Sequence, residues 1–175
     1  MATRTKTAPK SRRSAGKSTK GSGTQSGLFA LLKEDHKKVK SLFAKIEKNG
    51  DDDGAMQETF AQIQHELEVH MQGEEQFIYP AVQEEVEGDE EDKEKVLEAY
   101  EEHHVAKGVL AEIIDLPEDD ERWKAKVKVL KEIVEHHIEE EEEELFKVIR
   151  QALDKQRLQQ IENQMRELKE ENAAE

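Results

Sequence analysis

The chain lacks several features that whole classes of protein require. None of its 175 residues is a cysteine, which excludes disulfide scaffolds, thiolate zinc sites and iron–sulfur clusters. Its longest apolar run is about five residues, at 28–32, whereas a membrane-spanning helix needs about 20. No apolar segment follows the N-terminus, as a secretory signal would require. These absences predict a cytoplasmic protein with no membrane partner.

Apolar residues are also scarce, at 34%, while charged residues make up 39% of the chain. This balance is typical of a helical bundle with a lean core and a solvated outside. The sequence contains no Ser-His-Asp order, phosphate-binding glycine loop or dinucleotide fingerprint. The net charge of -15 is unevenly distributed. Residues 28–175 carry a net charge of -22, which disfavours nucleic acid as the main partner of the body.

Residues 1–27 form a basic tail with seven Lys or Arg and no acid. Because this stretch has almost nothing apolar to bury, we predict that it is disordered. One interpretation is a solubilising tail. The other is an electrostatic arm for nucleic acid or anionic surfaces. A mitochondrial presequence is disfavoured, because there are no apolar residues to build its amphipathic helix.

Turn and cap residues divide the remainder into helices, predicted at about 27–48, 55–87, 90–114, 121–152 and, after the cap Asp154, up to 171. Pro80 should kink or end a segment of the second helix. Gly73 indicates a close approach, a π-bulge or only a tolerated helix glycine.

Four long helices with short connections predict an all-α, up-down-up-down four-helix bundle. The predicted domains are the basic tail at 1–27, the bundle at 28–152 and a short C-terminal fifth helix at 153–175. The fifth helix carries an apolar stripe that either packs back on the bundle, which we favour, or pairs with another subunit. The oligomeric state stays open.

The most informative feature is a repeat with an offset of 67 residues. His36 recurs as His103. A His-x-x-x-Glu pair occurs once in each half, as His70 with Glu74 and as His137 with Glu141. A spacing of four places both side chains on one helix face, and here that face is otherwise apolar. A bare carboxylate there would cost several kcal/mol, so a bound cation is expected. This donor set leaves iron, zinc and manganese open.

This order of ligands resembles the hemerythrin-like, or HHE cation-binding, family over about residues 28–152. Local sequences at 34–39, 74–80 and 102–104 are similar to signatures of that family. The resemblance implies two non-haem iron ions, with zinc or manganese as lesser alternatives. It implies His36, His70, His103 and His137 as terminal ligands, and it implies bridging roles for the two carboxylates, Glu74 and Glu141.

Several positions depart from the oxygen-carrying hemerythrins. Lys107 stands where those proteins have a fifth histidine, and the carrier pattern would place the last carboxylate at Glu142 instead of Glu141. Tyr100 is a substitute ligand, a donor to a ligand or ordinary core. The resemblance therefore implies a protein that binds or handles oxygen, peroxide or nitric oxide, or that holds iron in stress defence, with enzymatic turnover left open.

The other candidate residues receive more ordinary interpretations. His104 and His136 are expected on the surface, and His65 partly exposed. Glu75 and Glu142 are expected to be solvated, although either one has the reach to orient a ligand. The alternative function is a non-catalytic module in which the metal, such as zinc, is structural and the basic tail contacts nucleic acid or another partner.

Overall fold

The computed structural model describes residues 27–49, 53–117 and 120–173. The predicted disorder of the tail concerns residues outside these ranges. Within them the secondary structure is entirely helical, with α1 (Leu28–Asn49), α2 (Asp53–Gly73), α3 (Tyr79–Glu85), α4 (Glu90–Ile114), α5 (Arg122–Glu140), α6 (Phe146–Ala152) and α7 (Lys155–Asn172). None of the described helices has the length and apolar character to cross a membrane.

Helix starts follow the expected capping chemistry. The Asp89 side chain accepts a hydrogen bond from the backbone N–H of Asp92, 3.2 Å away, at the start of α4. The Asp154 side chain accepts one from the N–H of Arg157, 2.8 Å away, at the start of α7. Both carboxylates satisfy donors that a first helical turn leaves free.

Two π-helical turns interrupt what the sequence predicted as continuous second and fourth helices. One covers Glu74–Ile78 between α2 and α3, and the other covers Glu141–Leu145 between α5 and α6. Pro80 lies in the first turn of α3, directly after the π turn. Proline does not explain the turns, because Lys147 holds the equivalent place in the second half. Both turns instead begin at a predicted carboxylate ligand.

The core consists of two apolar clusters with a polar layer between them. One cluster includes Leu32, Tyr79 and Phe146, and the other includes Val39 and Leu67. His36 lies on α1 between Leu32 and Val39, so its position in the chain places it at the junction. The predicted metal ligands therefore occupy a layer that apolar packing closes from both ends.

The C-terminal helix α7 packs back on the bundle, against α1, α2 and the first π turn. Its buried face includes Ile161, Met165 and Leu168. Gly73 allows this approach, because a Cβ at that position would collide with the Met165 Sδ atom. Gly73 thus marks both a close helix approach and, at the next residue, a π turn.

Candidate metal centre

Four buried histidines come from four different helices. His36 lies on α1, His70 on α2, His103 on α4 and His137 on α5. Glu74 and Glu141, the first residues of the two π turns, are also buried, at 0% and 2% exposure. The structure thus brings together the predicted ligands, hereafter the central cluster: His36, His70, Glu74, His103, His137 and Glu141.

The Nε2 atoms of the histidines face one another and the two carboxylates. His36 Nε2 lies 2.9 Å from Glu141 Oε2. Glu74 Oε2 lies 3.3 Å from the Nε2 atoms of both His70 and His103, so one carboxylate contacts both halves of the cluster. His103 Nε2 also lies 3.1 Å from His137 Nε2.

These contacts divide the central cluster into two groups of three donors. His36, His70 and Glu141 form one group, and Glu74, His103 and His137 form the other. Within each group the ligand atoms lie within 4.8 Å of one another. Glu142, the alternative position for the last carboxylate, belongs to neither group.

Several polar atoms at the centre are buried without a hydrogen bond. They include His70 Nε2, Glu74 Oε1 and Glu141 Oε1, while His36 Nε2 and Glu141 Oε2 contact only each other, at 2.9 Å. Buried polar atoms are almost always hydrogen-bonded, since leaving one unpaired costs about 1–3 kcal/mol. Converging nitrogen and oxygen atoms without hydrogen-bond partners are the donor arrangement that a cation requires. The residues therefore fit a metal.

Each histidine also meets a carboxylate on its outer side. The Nδ1 atom of His36 hydrogen-bonds to Glu142 at 2.9 Å, that of His103 to Glu75 at 2.9 Å and that of His137 to Glu102 at 2.7 Å. His70 Nδ1 lies 3.5 Å from Asp35. We name these four acids the outer carboxylates: Asp35, Glu75, Glu102 and Glu142.

The outer carboxylates obey the same 67-residue offset as the ligands. Asp35 corresponds to Glu102 and Glu75 to Glu142. The expectation that Glu75 and Glu142 are merely solvated was wrong, because both accept hydrogen bonds from buried histidines. The sequence interpretation did not predict that Asp35 and Glu102 contact the histidines. A signal was present, because each acid directly precedes a repeated histidine and the two acids are themselves 67 residues apart.

Lysines hold three of the outer carboxylates. Lys33 Nζ lies 2.8 Å from Glu142, and Lys169 of α7 pairs with Asp35. Lys107, at the position where oxygen carriers have a fifth histidine, donates to Glu75 at 2.6 Å. Lys107 therefore does not contact the central cluster directly; it pairs with Glu75, which in turn hydrogen-bonds to His103.

A model of the hemerythrin HHE cation binding domain matches residues 28–149. The chain belongs to this family. The HHE domain thus covers the helices that carry the central cluster, from α1 into α6, and the family resemblance noted from the sequence is confirmed.

Two further proteins are similar to this HHE protein. A hemerythrin HHE cation binding domain-containing protein from Mycobacterium kansasii shares the fold, with a TM-score of 0.72, 19% identity, and coverage of 86% of this chain and 90% of that one. A protein named DNA nickase, from Nostoc sp., is 32% identical over 144 residues, which are 81% of this chain. The chain spans only 39% of the length of that curated relative.

A tyrosine breaks the symmetry of the HHE site. Tyr79 is buried, and its hydroxyl lies 3.3 Å from Glu74 Oε2 and 3.2 Å from His103 Nε2. The equivalent residue in the other half is Phe146, which stacks on His36 with ring centroids 6.3 Å apart. Tyr100, the tyrosine singled out from the sequence, packs edge-on against the Tyr79 ring instead. A hydroxyl therefore stands beside only one of the two donor groups.

The two central carboxylates titrate differently in the metal-free protein. Burial tends to raise the pKa of Glu74, but the charges of His70 and His103 outweigh it and hold that pKa well below its usual range. Burial and repulsion from Glu74 raise the pKa of Glu141. A cation between the groups would favour the ionised form of both carboxylates.

Two histidines carry raised pKa values. Burial alone would lower the pKa of His70, but Glu74 and Asp35 raise it to about 9. Burial alone would also lower the pKa of His137. The hydrogen bond to Glu102 and the charges of the central carboxylates outweigh burial and raise that pKa. Since metal binds neutral imidazole, a metal must displace protons from this site.

The three remaining histidines are all exposed, as predicted for two of them and more fully than predicted for His65. His104 and His136 are on the surface, and His65 is exposed. His136 nevertheless joins a third group of candidate donors, with Glu102 and Glu140. That group shares the outer carboxylate Glu102 with the central cluster.

Proposed function

We propose that the HHE domain holds two non-haem iron ions and uses them to bind or handle oxygen, peroxide or nitric oxide. The observation that supports this most is the pair of buried three-donor groups, in which several donor atoms, among them His70 Nε2 and Glu74 Oε1, have no hydrogen-bond partner. His36, His70 and Glu141 would hold one ion, and Glu74, His103 and His137 the other. We further propose that the helices carrying them run up-down-up-down, as the short connections predict.

The donor chemistry is compatible with iron, and the choice of iron over zinc or manganese rests on the family. Imidazole and carboxylate suit iron, zinc and manganese, while a centre that lacks thiolate has no preference for soft metals. Glu74 contacts histidines of both groups, which supports our proposal that its carboxylate would have a bridging role. When bound, iron would supply one-electron steps and an open position for a small ligand.

The outer carboxylates would fix which ring nitrogen faces the metal. A hydrogen bond from Nδ1–H to a carboxylate leaves Nε2 as the free donor and increases its basicity. Three of the four histidines make such a bond, at 2.7 to 2.9 Å. The chain thus prepares the nitrogen atoms that would bind metal, and the charges of Lys33 and Lys107 keep Glu142 and Glu75 in place.

A small apolar cavity beside the histidines supports a small ligand. It measures about 20 Å³, and one water needs about 10–15 Å³. Its lining combines apolar residues with the four histidines and two of the outer carboxylates; it includes Val39, Leu67, Ala106, Val134, Asp35 and Glu102. This space suits a diatomic molecule or peroxide and is too small for an organic substrate. Tyr79 can donate a proton or a hydrogen bond on the Glu74 side.

Anaerobic spectroscopy tests this proposal. The full chain is loaded with ferrous iron and then exposed separately to oxygen, hydrogen peroxide and nitric oxide, while the visible spectrum is recorded. A new iron-dependent absorption with at least one of the three supports the proposal, and Glu74→Ala should abolish it. An iron-loaded protein whose spectrum responds to none of them would overturn it.

The second candidate function is contact with DNA. Two observations favour it: the seven Lys or Arg in residues 1–27, and the relative named DNA nickase. Because the body of the chain is acidic, we place the contact in the tail, where released counterions would drive binding. Binding of the full chain to duplex DNA should weaken steeply with salt and disappear when the seven basic residues are replaced by alanine. Equal binding by that variant would contradict this function.

A further inference from the structure

The two halves of the domain differ most on one pair of equivalent faces. On the α2 side the face is apolar, and α7 covers it with Met165 and Leu168. On the α5 side the same positions, 67 residues later, are polar or acidic. The four pairs are Leu31 and Glu98, Val69 and His136, Gly73 and Glu140, and Phe77 and Glu144.

The α5 face forms a cleft that reaches the central cluster. We name it the acidic cleft; its polar lining residues are Lys95, Glu98, Glu102, His137, Glu140, Glu141 and Glu144. Its volume is about 40 Å³, more than the roughly 10–15 Å³ that one water occupies. The cleft therefore connects solvent-facing acids with His137 and Glu141, one from each donor group.

Two residues that line the acidic cleft, Glu102 and Glu140, form a group of possible metal ligands with His136, which lies outside the lining. Ligand atoms of Glu102, His136 and Glu140 lie within 4.8 Å of one another. His136 is exposed, whereas the two acids are half-buried. Glu102 also accepts a hydrogen bond from Nδ1 of His137 at 2.7 Å, so this outer group is directly linked to the central cluster.

One oxygen atom of a buried carboxylate that lines the cleft has no hydrogen-bond partner. Glu141 is 2% exposed and lines the cleft, and its Oε1 atom has no hydrogen-bond partner. The basic residue at the rim is already compensated, because Lys95 Nζ lies 3.2 Å from Glu91 and 3.9 Å from Glu144. The cleft thus brings five glutamates and one lysine together with a buried carboxylate oxygen that lacks a hydrogen-bond partner.

We propose that the acidic cleft is a loading site, in which Glu102, His136 and Glu140 capture a divalent metal cation and deliver it to Glu141 and His137. The inference rests on the proposed two-metal centre. Clefts that concentrate one sign of charge raise the local concentration of the opposite ion and its association rate. The equivalent route on the α2 side is closed by α7, so loading is confined to one side of a nearly symmetric domain.

Metal uptake by the full chain tests the loading site. Metal-free protein is mixed anaerobically with cobalt(II), a divalent probe whose absorption follows binding, and the final content is measured by elemental analysis. The variant Glu140→Gln/Glu144→Gln removes two charges from the cleft. Glu139→Gln/Glu143→Gln is the matched control, with the same charge change and spacing on exposed residues outside the cleft.

We expect the cleft variant to load about tenfold more slowly than the control, with an unchanged final content. Lys95→Gln should load faster than the wild type, because it removes the positive charge at the rim. Equal rates for cleft and control variants would overturn the loading site while leaving the two-metal centre intact. A lower final content in the cleft variant would assign these acids to the resident site instead. No uptake by the wild type would contradict the two-metal centre itself.

Discussion

At the scale of single residues, the direction of a side chain decides whether a glutamate faces the centre of the site or the outer side of a histidine. Glu141 and Glu142 are adjacent in sequence and identical in chemistry, yet one is 2% exposed in the central cluster and the other accepts a hydrogen bond from the outer side of His36. The difference is the direction in which each side chain points from the second π turn. Neighbouring glutamates thus acquire different roles.

Replacing each of these two glutamates by glutamine should separate the roles. Glu141→Gln should lose bound metal, because it removes a charged donor from the His36 group. Glu142→Gln should keep the site and weaken affinity about 10- to 100-fold, as loss of an orienting hydrogen bond does. Metal content after gel filtration, together with a chelator competition, measures both effects. Greater metal loss from Glu142→Gln would reverse our assignment.

The Tyr79 hydroxyl should matter for reactivity and not for metal content. Tyr79→Phe makes the position identical to Phe146, its equivalent, and removes a donor beside Glu74 and His103. We expect unchanged iron content and reaction with peroxide slowed by about tenfold or more, since a positioned proton donor contributes at least that much. Tyr100→Phe, which changes a tyrosine packed on the same ring, is the control. Equal rates for both variants would remove Tyr79 from the chemistry.

The pKa of His70 predicts how pH affects the metal-free protein. This pKa is about 9 in the folded chain, against 6.5 for an ordinary histidine. A raised pKa stabilises the fold fully below 6.5, and the contribution is lost as pH rises through about 9. The loss is on the order of 3 kcal/mol.

Urea unfolding of the metal-free protein between these pH values checks the prediction, with His70→Gln as the control. The variant should show a smaller decline in the free energy of unfolding than the wild type. A wild-type protein whose stability rises over the same range would contradict it. Metal affinity should change in the opposite direction, since alkali removes the competing protons.

At the scale of elements, two features govern the site: the π turns and the packing of α7. Each π turn begins at a central carboxylate, and the 67-residue offset relates one turn to the other. The three residues between each histidine and glutamate are ordinary α-helix, and the π turn begins at the glutamate itself. Gly73 indicated a π-bulge as one of three interpretations of the sequence, but no such signal marked the second turn, where Glu140 holds the equivalent position.

Gly73 should be intolerant of a methyl group. In an exposed helix, Gly→Ala stabilises by roughly 0.5–1 kcal/mol. At Gly73 the added Cβ would collide with Met165, and the sign should reverse to a loss of about 1–3 kcal/mol. Gly108→Ala is the control, because nothing lies within 4 Å of a Cβ there. Chemical unfolding measures both; equal stabilisation by the two variants would show that α7 does not pack as described.

At the scale of the whole molecule, the sequence was sufficient for much of the architecture. Helical periodicity and caps predicted the helices, and the repeat predicted all six members of the central cluster, because those residues interrupt apolar stripes. The contacts of Asp35 and Glu102 were not predicted, because their partners, His70 and His137, lie on other helices and helical spacing relates only residues of one helix. Tyr79 escaped notice because a tyrosine in an apolar stripe looks like core until its hydroxyl has a neighbour.

The near-symmetry of the molecule is therefore the main signal in the sequence, and its exceptions carry further information. Tyr79 against Phe146 places one hydroxyl at the site. α7 covers the α2 face, whereas the equivalent α5 face carries the acidic cleft. Each exception was visible as a mismatch between residues 67 positions apart, once the structure showed that those positions face the same site.

The central claim is that six residues hold two iron ions, and an anaerobic ferrous-iron titration of the metal-free chain tests it most directly. We predict saturation at two irons per chain for the wild type, and loss of iron for Glu74→Ala because that carboxylate contacts both donor groups. Saturation followed by air exposure should generate a visible absorption. A Glu74→Ala protein that retains two irons, or a wild type that binds none, would contradict the claim.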